Sequence, residues 1–154
     1  MRRFRWIFVM SLVALLLSTF TFAEAKAQDL NRMFYEARRD RDVNKIQSVI
    51  KTIESTANFD KDTTLLTILA DAYLEYGLWG VSDKEKEKTY EKARQYAEMA
   101  LKLDPKNGRA SYIAGAAIGR LAQYKGIIQS LFMLGDFDRY IETAIKLLDE
   151  NDEE

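Results

Sequence analysis

The sequence predicts an all-α fold in which about three helical hairpins, with lengthened segments between their paired helices, stack as an α-solenoid. Three observations predict this fold. Apolar residues recur at spacings of three and four in every segment after residue 25, as they do on one face of a helix. The 154 residues include one Pro and seven Gly, so few residues interrupt long helices. A pattern of small residues also returns after 44 to 45 residues, which indicates an internal repeat.

Residues that typically begin or end helices divide the predicted helices into three pairs. The first pair covers roughly residues 29–40 and 43–56. The second covers residues 65–79 and 82–103, and its second helix opens on the capping box Ser82–Glu85. The third pair begins near Asn107 after Asp104-Pro105, where a cap and a proline favour a helix start. Its second helix is predicted to begin at Gly135-Asp136, after a short apolar stretch at residues 127–134.

Small residues mark the repeat. In the second helices the spacing of four, three and five residues occurs twice, first at Ala93, Ala97, Ala100 and Pro105 and then at Phe137, Ile141, Ala144 and Asp149. In the first helices the small positions are Ala37, Ala70 and Gly115. Small side chains let a neighbouring helix approach closely, and a single hairpin cannot bury its apolar face alone. We therefore predict one cooperative domain over residues 26–150.

The spacing of these small residues and of Pro105 resembles the tetratricopeptide repeat. Residues 69–73, 90–97 and 114–119 resemble the tetratricopeptide-like T component of bacterial TRAP transporters, a periplasmic partner of the solute-binding protein. Residues 119–127 and 140–147 resemble the regulator-of-microtubule-dynamics family. The first resemblance implies an accessory to a periplasmic transport system, although the lipid-attachment Cys of such proteins is absent. Because the chain is predicted to be exported, the second resemblance is taken for the fold alone.

The first 25 residues have the pattern of a targeting segment. Arg2, Arg3 and Arg5 precede an uncharged run over residues 6–23, and Ala23-Glu24-Ala25 supplies a small-residue cleavage site. This pattern predicts a secretory signal peptide over residues 1–25, with cleavage after Ala25 and a periplasmic or otherwise exported product. The alternative is an uncleaved anchor formed by residues 6–23, which would also export the body. Residues 151–154 are predicted to form an acidic, solvated tail.

Composition excludes several functions. Without Cys or His the chain has no thiolate nucleophile, no Ser-His-Asp triad and no Cys- or His-based metal site. We therefore predict no catalytic residues, no metal and no cofactor. Removing residues 1–25 takes away three Arg and one Glu and leaves a net charge of −3, which does not favour nucleic acid. A protein partner is predicted instead, and the sequence leaves the oligomeric state open.

Two candidate sites follow from the predicted solenoid. The groove lined by the first helix of each pair is the first, because such stacks bind partners there. Its arginines would form bidentate pairs with the carboxylates of an acidic peptide or of a partner's C-terminus. The residues predicted to line this groove are Phe34, Arg38, Asp71, Arg109, Tyr112 and Arg120.

The second candidate site is a cavity for a small hydrophobic ligand, roofed by the lengthened segments. Aromatic lining with a few polar tips suits such a ligand. The predicted lining consists of Tyr73, Tyr76, Trp79 and Tyr90, and the alternative for these residues is ordinary core packing. No Asp or Glu stands alone within an apolar segment in a way that suggests a raised pKa, which argues against a carboxylate-based hydrolase.

Overall fold

The computed structural model describes the backbone of residues 25–152 and the side chains as far as Asp149. Within this range every regular element is helical. They are α1 (residues 25–39), α2 (Val43–Glu54), a 3₁₀ turn (Phe59–Lys61), α3 (Thr63–Trp79), α4 (Asp83–Leu103), α5 (Gly108–Leu121) and α6 (Ile127–Asp152). The all-α prediction is thus confirmed. Apart from Ala25, the predicted signal peptide lies outside the described residues.

The helices form three hairpins in two layers. α1, α3 and α5 lie side by side in the first layer, since ion pairs join α1 to α3 and α3 to α5. α4 packs between α3 and α5, and α6 packs on α5. In the second layer, Tyr140 of α6 donates to Glu98 of α4. This arrangement is the predicted stack of hairpins. No helix of the described range is long and apolar enough to cross a membrane.

Short polar side chains begin three of these helices. Asp42, Asp62 and Asn107 each accept a hydrogen bond from the amide three residues further on. This satisfies one of the donors that a helix start leaves unpaired. The predicted capping box is present at the start of α4, where the Ser82 amide donates to Glu85 Oε2 at 3.3 Å.

The small residues of the repeat lie where the helices pack most closely. Ala37, Ala70, Ala93, Ala97 and Ala100 have no exposed surface. At Gly115 an added Cβ would lie 2.6 Å from Ile141 Cδ1, so α5 and α6 approach each other to a distance that excludes a side chain. The repeat pattern therefore identified the contact faces of the hairpins.

One predicted boundary is wrong. α6 does not begin at Gly135-Asp136 but at Ile127, and it runs without a break to Asp152. A glycine inside a helix costs only about 1 kcal/mol relative to alanine, and the leucines and methionine before it are strong helix formers. The extra residues of the predicted lengthened segments are accordingly helical. The connections themselves are short, over residues 80–82 and 122–126, and residues 151–152 of the predicted acidic tail extend α6.

Candidate partner-binding groove

Side chains from three helices of the first layer converge on Asp71. Arg109 of α5 donates to Asp71 Oδ2 through Nε at 3.1 Å and through Nη2 at 2.5 Å. Arg38 of α1 lies 3.6 Å from the same oxygen, and its Nε lies 2.9 Å from Glu75 Oε1. Because Asp71 and Glu75 are one helical turn apart on α3, a single face of α3 holds arginines from both sides.

The two carboxylates are buried and the two guanidinium groups reach solvent. The side chain of Asp71 is 4% exposed, whereas those of Arg38 and Arg109 are each 33% exposed. Burial lowers the pKa of Arg109, but the charge of Asp71 and its hydrogen bonds outweigh burial and raise that pKa above its ordinary value. Buried carboxylates are stable only when paired, so these ion pairs join the first layer together. Asp71 Oδ1 accepts no hydrogen bond within the described range.

Aromatic and basic side chains continue this surface along α5. The Arg109 guanidinium lies over the half-exposed ring of Tyr112, 5.2 Å from its centroid. Tyr35 of α1 is also half-exposed and close enough to contribute to the raised pKa of Arg109. Arg120 lies three turns further along the same face of α5, is exposed, and makes no ion pair with any described residue. The groove thus presents three arginines and two tyrosines.

Five of the six residues predicted for the groove lie on it, and Phe34 does not. Phe34 is 1% exposed and belongs to the core, with Ala27, Leu30 and Ala37 of the same helix. The spacing of these four residues by three, four and three already marks a buried face. The prediction missed Glu75 and Tyr35. The sequence could have indicated Glu75, since it follows Asp71 by four residues and residues four apart lie on the same face of a helix. Asp71 and Glu75 both lie buried in the largely apolar helix α3, and each is paired with an arginine.

A protein-family model described as "Regulator of microtubule dynamics protein 1-3" matches residues 30–153. The chain belongs to this family. The match covers every residue of the groove, and it confirms the resemblance of residues 119–147 to these regulators. No curated protein and no solved structure matches the chain. The resemblances to the tetratricopeptide repeat and to the transporter component stay predictions.

In this regulator-family domain the four aromatic residues predicted to line a ligand cavity lie in different surroundings. Tyr90 is buried against Gly77, and burial raises the pKa of its phenol. Tyr76 accepts a hydrogen bond from Gln47 at 3.1 Å. Trp79 is half-exposed beneath the Arg41 guanidinium, 4.7 Å from the ring centroid. The remaining one, Tyr73 of α3, belongs to a polar cluster between the two layers.

That cluster joins α2, α3 and α4. The Tyr73 hydroxyl donates to Glu54 Oε1 at 2.6 Å and accepts from Lys92 Nζ at 2.8 Å, while the Tyr96 ring stacks on that of Tyr73 at 5.6 Å. Burial, followed by the hydrogen bond to Glu54, raises the pKa of Tyr73 well above its ordinary range. The phenol therefore stays protonated, and able to donate to Glu54, to a higher pH than an ordinary tyrosine does. Hydrogen bonding and ring stacking within the domain therefore account for Tyr73 without a ligand.

Cavities occur elsewhere in the described part of the chain. One of about 470 Å³ lies between α4, α5 and α6, and most of its charges are already paired, as Arg94 is with Glu98 at 2.8 Å. A second, of about 170 Å³, is apolar and lies between α5 and the first turns of α6. A third, an open hollow of about 640 Å³, lies at the start of α6 over residues 126–129. None of the four predicted aromatic residues lines any of these three cavities.

Proposed function

We propose that this domain is a protein-interaction module that binds an acidic segment of a partner in the groove of Arg38, Arg109 and Arg120. One observation carries the proposal. Buried Asp71 and Glu75 hold Arg38 and Arg109 in place while a third of each side chain stays exposed, and Arg120 is unpaired on the same face. Arginines that are already ordered lose less entropy when they bind a carboxylate than free surface side chains do.

The hydrogen-bond donors of the groove favour an acidic ligand. A guanidinium group carries five N–H donors, and the carboxylates of α3 engage only some of those on Arg38 and Arg109. The three arginines exceed the two carboxylates by one positive charge, within a chain of net charge −1. Tyr35 and Tyr112 add flat, amphipathic surfaces of the kind that interfaces favour. An extended peptide with spaced Asp or Glu residues fits this surface.

The test uses fluorescein-labelled peptides of equal length, with alternating Gly and Glu or alternating Gly and Lys, in a polarisation assay. We expect only the acidic peptide to bind and its dissociation constant to rise with salt, because the contacts are charged and partly exposed. Arg120→Glu is expected to weaken binding at least about tenfold, which corresponds to about 1.4 kcal/mol. Arg120 makes no ion pair within the described residues, so its replacement leaves the fold intact.

Arg139→Glu is the matched control. Arg139 is exposed on α6, in the second layer, and forms an ion pair with Asp136 at 3.0 Å. It carries the same change of charge at a distance from the groove of the first layer, so we expect little loss of binding. Equal losses from Arg139→Glu and Arg120→Glu, or equal binding of the acidic and basic peptides, would contradict a specific groove.

Export of this module is a second part of the proposal, favoured by the basic and apolar pattern of residues 1–25. The family match starts at residue 30 and the first buried residue of the described chain is Ala27, so cleavage after Ala25 would spare the described core. N-terminal sequencing of the purified protein is expected to begin at Lys26, and an N-terminus upstream of residue 24 would exclude this cleavage.

The accessory role in solute-binding transport rests on resemblance alone, and affinity capture that recovers no solute-binding protein would remove it.

A further inference from the structure

The first two turns of α6 carry an unusual apolar surface. Ile127, Ile128, Leu131, Phe132 and Leu134 are between 53% and 83% exposed. These five side chains form what we call the α6 apolar face. No acidic or basic residue interrupts the sequence between Lys125 and Asp136. Monomeric proteins rarely expose contiguous apolar patches beyond roughly 300–600 Å², and larger patches mark interaction sites.

The opposite side of the same helical segment holds it on the domain. The Ser130 hydroxyl donates to the Ala122 carbonyl at 2.9 Å. Met133 packs against the core. Phe137 packs on α5, since an added Cβ at Gly119 would lie 3.2 Å from the Phe137 ring. The α6 apolar face is therefore presented by a docked helix and not by a free end.

Two glycines accompany this face. At five of the seven glycines an added Cβ would contact another side chain, whereas at Gly126 and Gly135 nothing lies within 4 Å. Gly135 lies inside α6, where glycine costs about 1 kcal/mol relative to alanine and gains no contact within the described residues. Seven residues make nearly two turns, so Ile128 and Gly135 lie on one line along the outer side of α6, with Leu131 and Phe132 between them. Ile128 therefore projects from the helix as a knob, and Gly135, two turns further along the same line, leaves a hole in the surface.

We infer that the α6 apolar face binds the same face of a second copy of this chain, with the two α6 helices antiparallel. One two-fold axis between residues 131 and 132 seats Ile128 of each copy over Gly135 of the other. A symmetric interface of this kind requires a self-complementary surface, which a knob and a hole on either side of the axis supply. The same alignment brings Lys125 of one copy towards Asp138 of the other, which are opposite charges.

The α6 apolar face and the start of α1 lie at opposite ends of the stack. Lys26, at the start of α1, donates to Thr56 just beyond the end of α2. Lys125, just before α6, pairs with Glu87 near the start of α4. The hairpins run antiparallel, so these two points lie at opposite ends of the stack. The chain before residue 25 therefore joins the domain at the end remote from the α6 apolar face.

The small number of side chains in the face predicts a weak dimer. A standard interface involves about 20–30 residues of each partner, whereas the α6 apolar face has five large apolar side chains. We therefore expect a dissociation constant in about the micromolar range. Occupation of the groove is not required, because the arginines lie on α1 and α5 and not on this part of α6.

The test uses the full chain as the cell processes it. Since the chain has no Cys, Leu131→Cys introduces a single thiol beside the predicted axis. A short bis-maleimide is expected to link Leu131→Cys copies into a dimer. The control Ile145→Cys places the thiol on the same helix, half-exposed but outside the α6 apolar face, and is expected to stay monomeric.

Sedimentation measures the strength of the dimer. Phe132→Glu and Gly135→Leu are each expected to raise the dissociation constant at least about tenfold, one by a buried charge and the other by filling the hole. Both positions are exposed, and circular dichroism checks that the variants stay folded. A monomer at all concentrations, or equal cross-linking at residues 131 and 145, would overturn the inference. So would a monomer in solution that floats with neutral phosphatidylcholine vesicles through Phe132, because the occupant would then be a membrane.

Discussion

Replacing Asp71 by alanine is expected to lower the free energy of unfolding by about 3 kcal/mol, as removal of one partner from a buried ion pair does. The variant would leave Arg109 without its acceptor and Arg38 with Glu75 alone. It would also remove the one carboxylate that pairs with arginines of both α1 and α5, leaving α1 joined to α3 through the Arg38–Glu75 pair. Urea unfolding followed by circular dichroism measures the change, and we expect a lower midpoint with an unchanged slope.

Asp136→Ala is the matched control for this change. Asp136 also pairs with two arginines, at 3.0 Å from Arg139 and 3.8 Å from Arg94, but its side chain is 45% exposed. Solvent screens such pairs, so the loss is expected to be about 0.5 kcal/mol. In the Asp71→Ala background, Arg109→Met should cost less than it does alone, because the unpaired charge has gone. Equal losses at Asp71 and Asp136 would show that burial does not strengthen the Asp71 cluster.

Local patterns in the sequence identify the helices of this domain because each signal involves residues within a turn or two of one another. Ser82 and Glu85 begin α4 as expected, and Asn107 begins α5. Gly135 misled the prediction because glycine weakens a helix without ending it, and the leucines and methionine before it are strong helix formers. The error had a consequence, since a break at Gly135 would have hidden the continuous α6 and the exposed face on it.

The groove was harder to place than the helices because its residues come from distant parts of the sequence. Arg38 and Arg109 meet at Asp71 from 33 residues before it and 38 residues after it. The repeat pattern predicted that these helices share a layer, which brought five of the six residues to one surface. It did not fix the rotation of α1 about its own axis to within a third of a turn, and Phe34 lies on the buried side of that helix. A one-residue shift along a helix rotates a side chain by about 100°.

The groove residues also join the helices, and this links binding to stability. Arg38 and Arg109 connect α1 and α5 to α3, so any ligand that contacts them acts on the joints between hairpins. A ligand that binds only the folded state stabilises it by mass action. An acidic peptide should therefore protect the stack as a whole, since each hairpin buries its apolar face only against its neighbour.

Gly77→Ala is expected to destabilise the domain by about 2 kcal/mol, as overpacking of a filled core does. The new Cβ would overlap the ring of Tyr90, with its Cδ1 2.8 Å away. Tyr90 is almost fully buried and its ring also lies 6.1 Å from that of Tyr124, so the ring cannot swing aside. The usual gain from replacing a helical glycine by alanine, about 1 kcal/mol, offsets only part of the strain.

The same substitution at Gly135 is expected to have the opposite sign. Nothing lies within 4 Å of the added Cβ there, so Gly135→Ala should stabilise a dilute monomer by about 0.5–1 kcal/mol through helix propensity alone. In a Tyr90→Leu background, Gly77→Ala should lose most of its penalty, because leucine lacks the ring atoms that the Cβ would overlap. If Gly77→Ala were instead as harmless as Gly135→Ala in the parent chain, α3 and α4 would be able to separate at Tyr90 without loss. Close approach of the paired helices would then not be what fixes this stack.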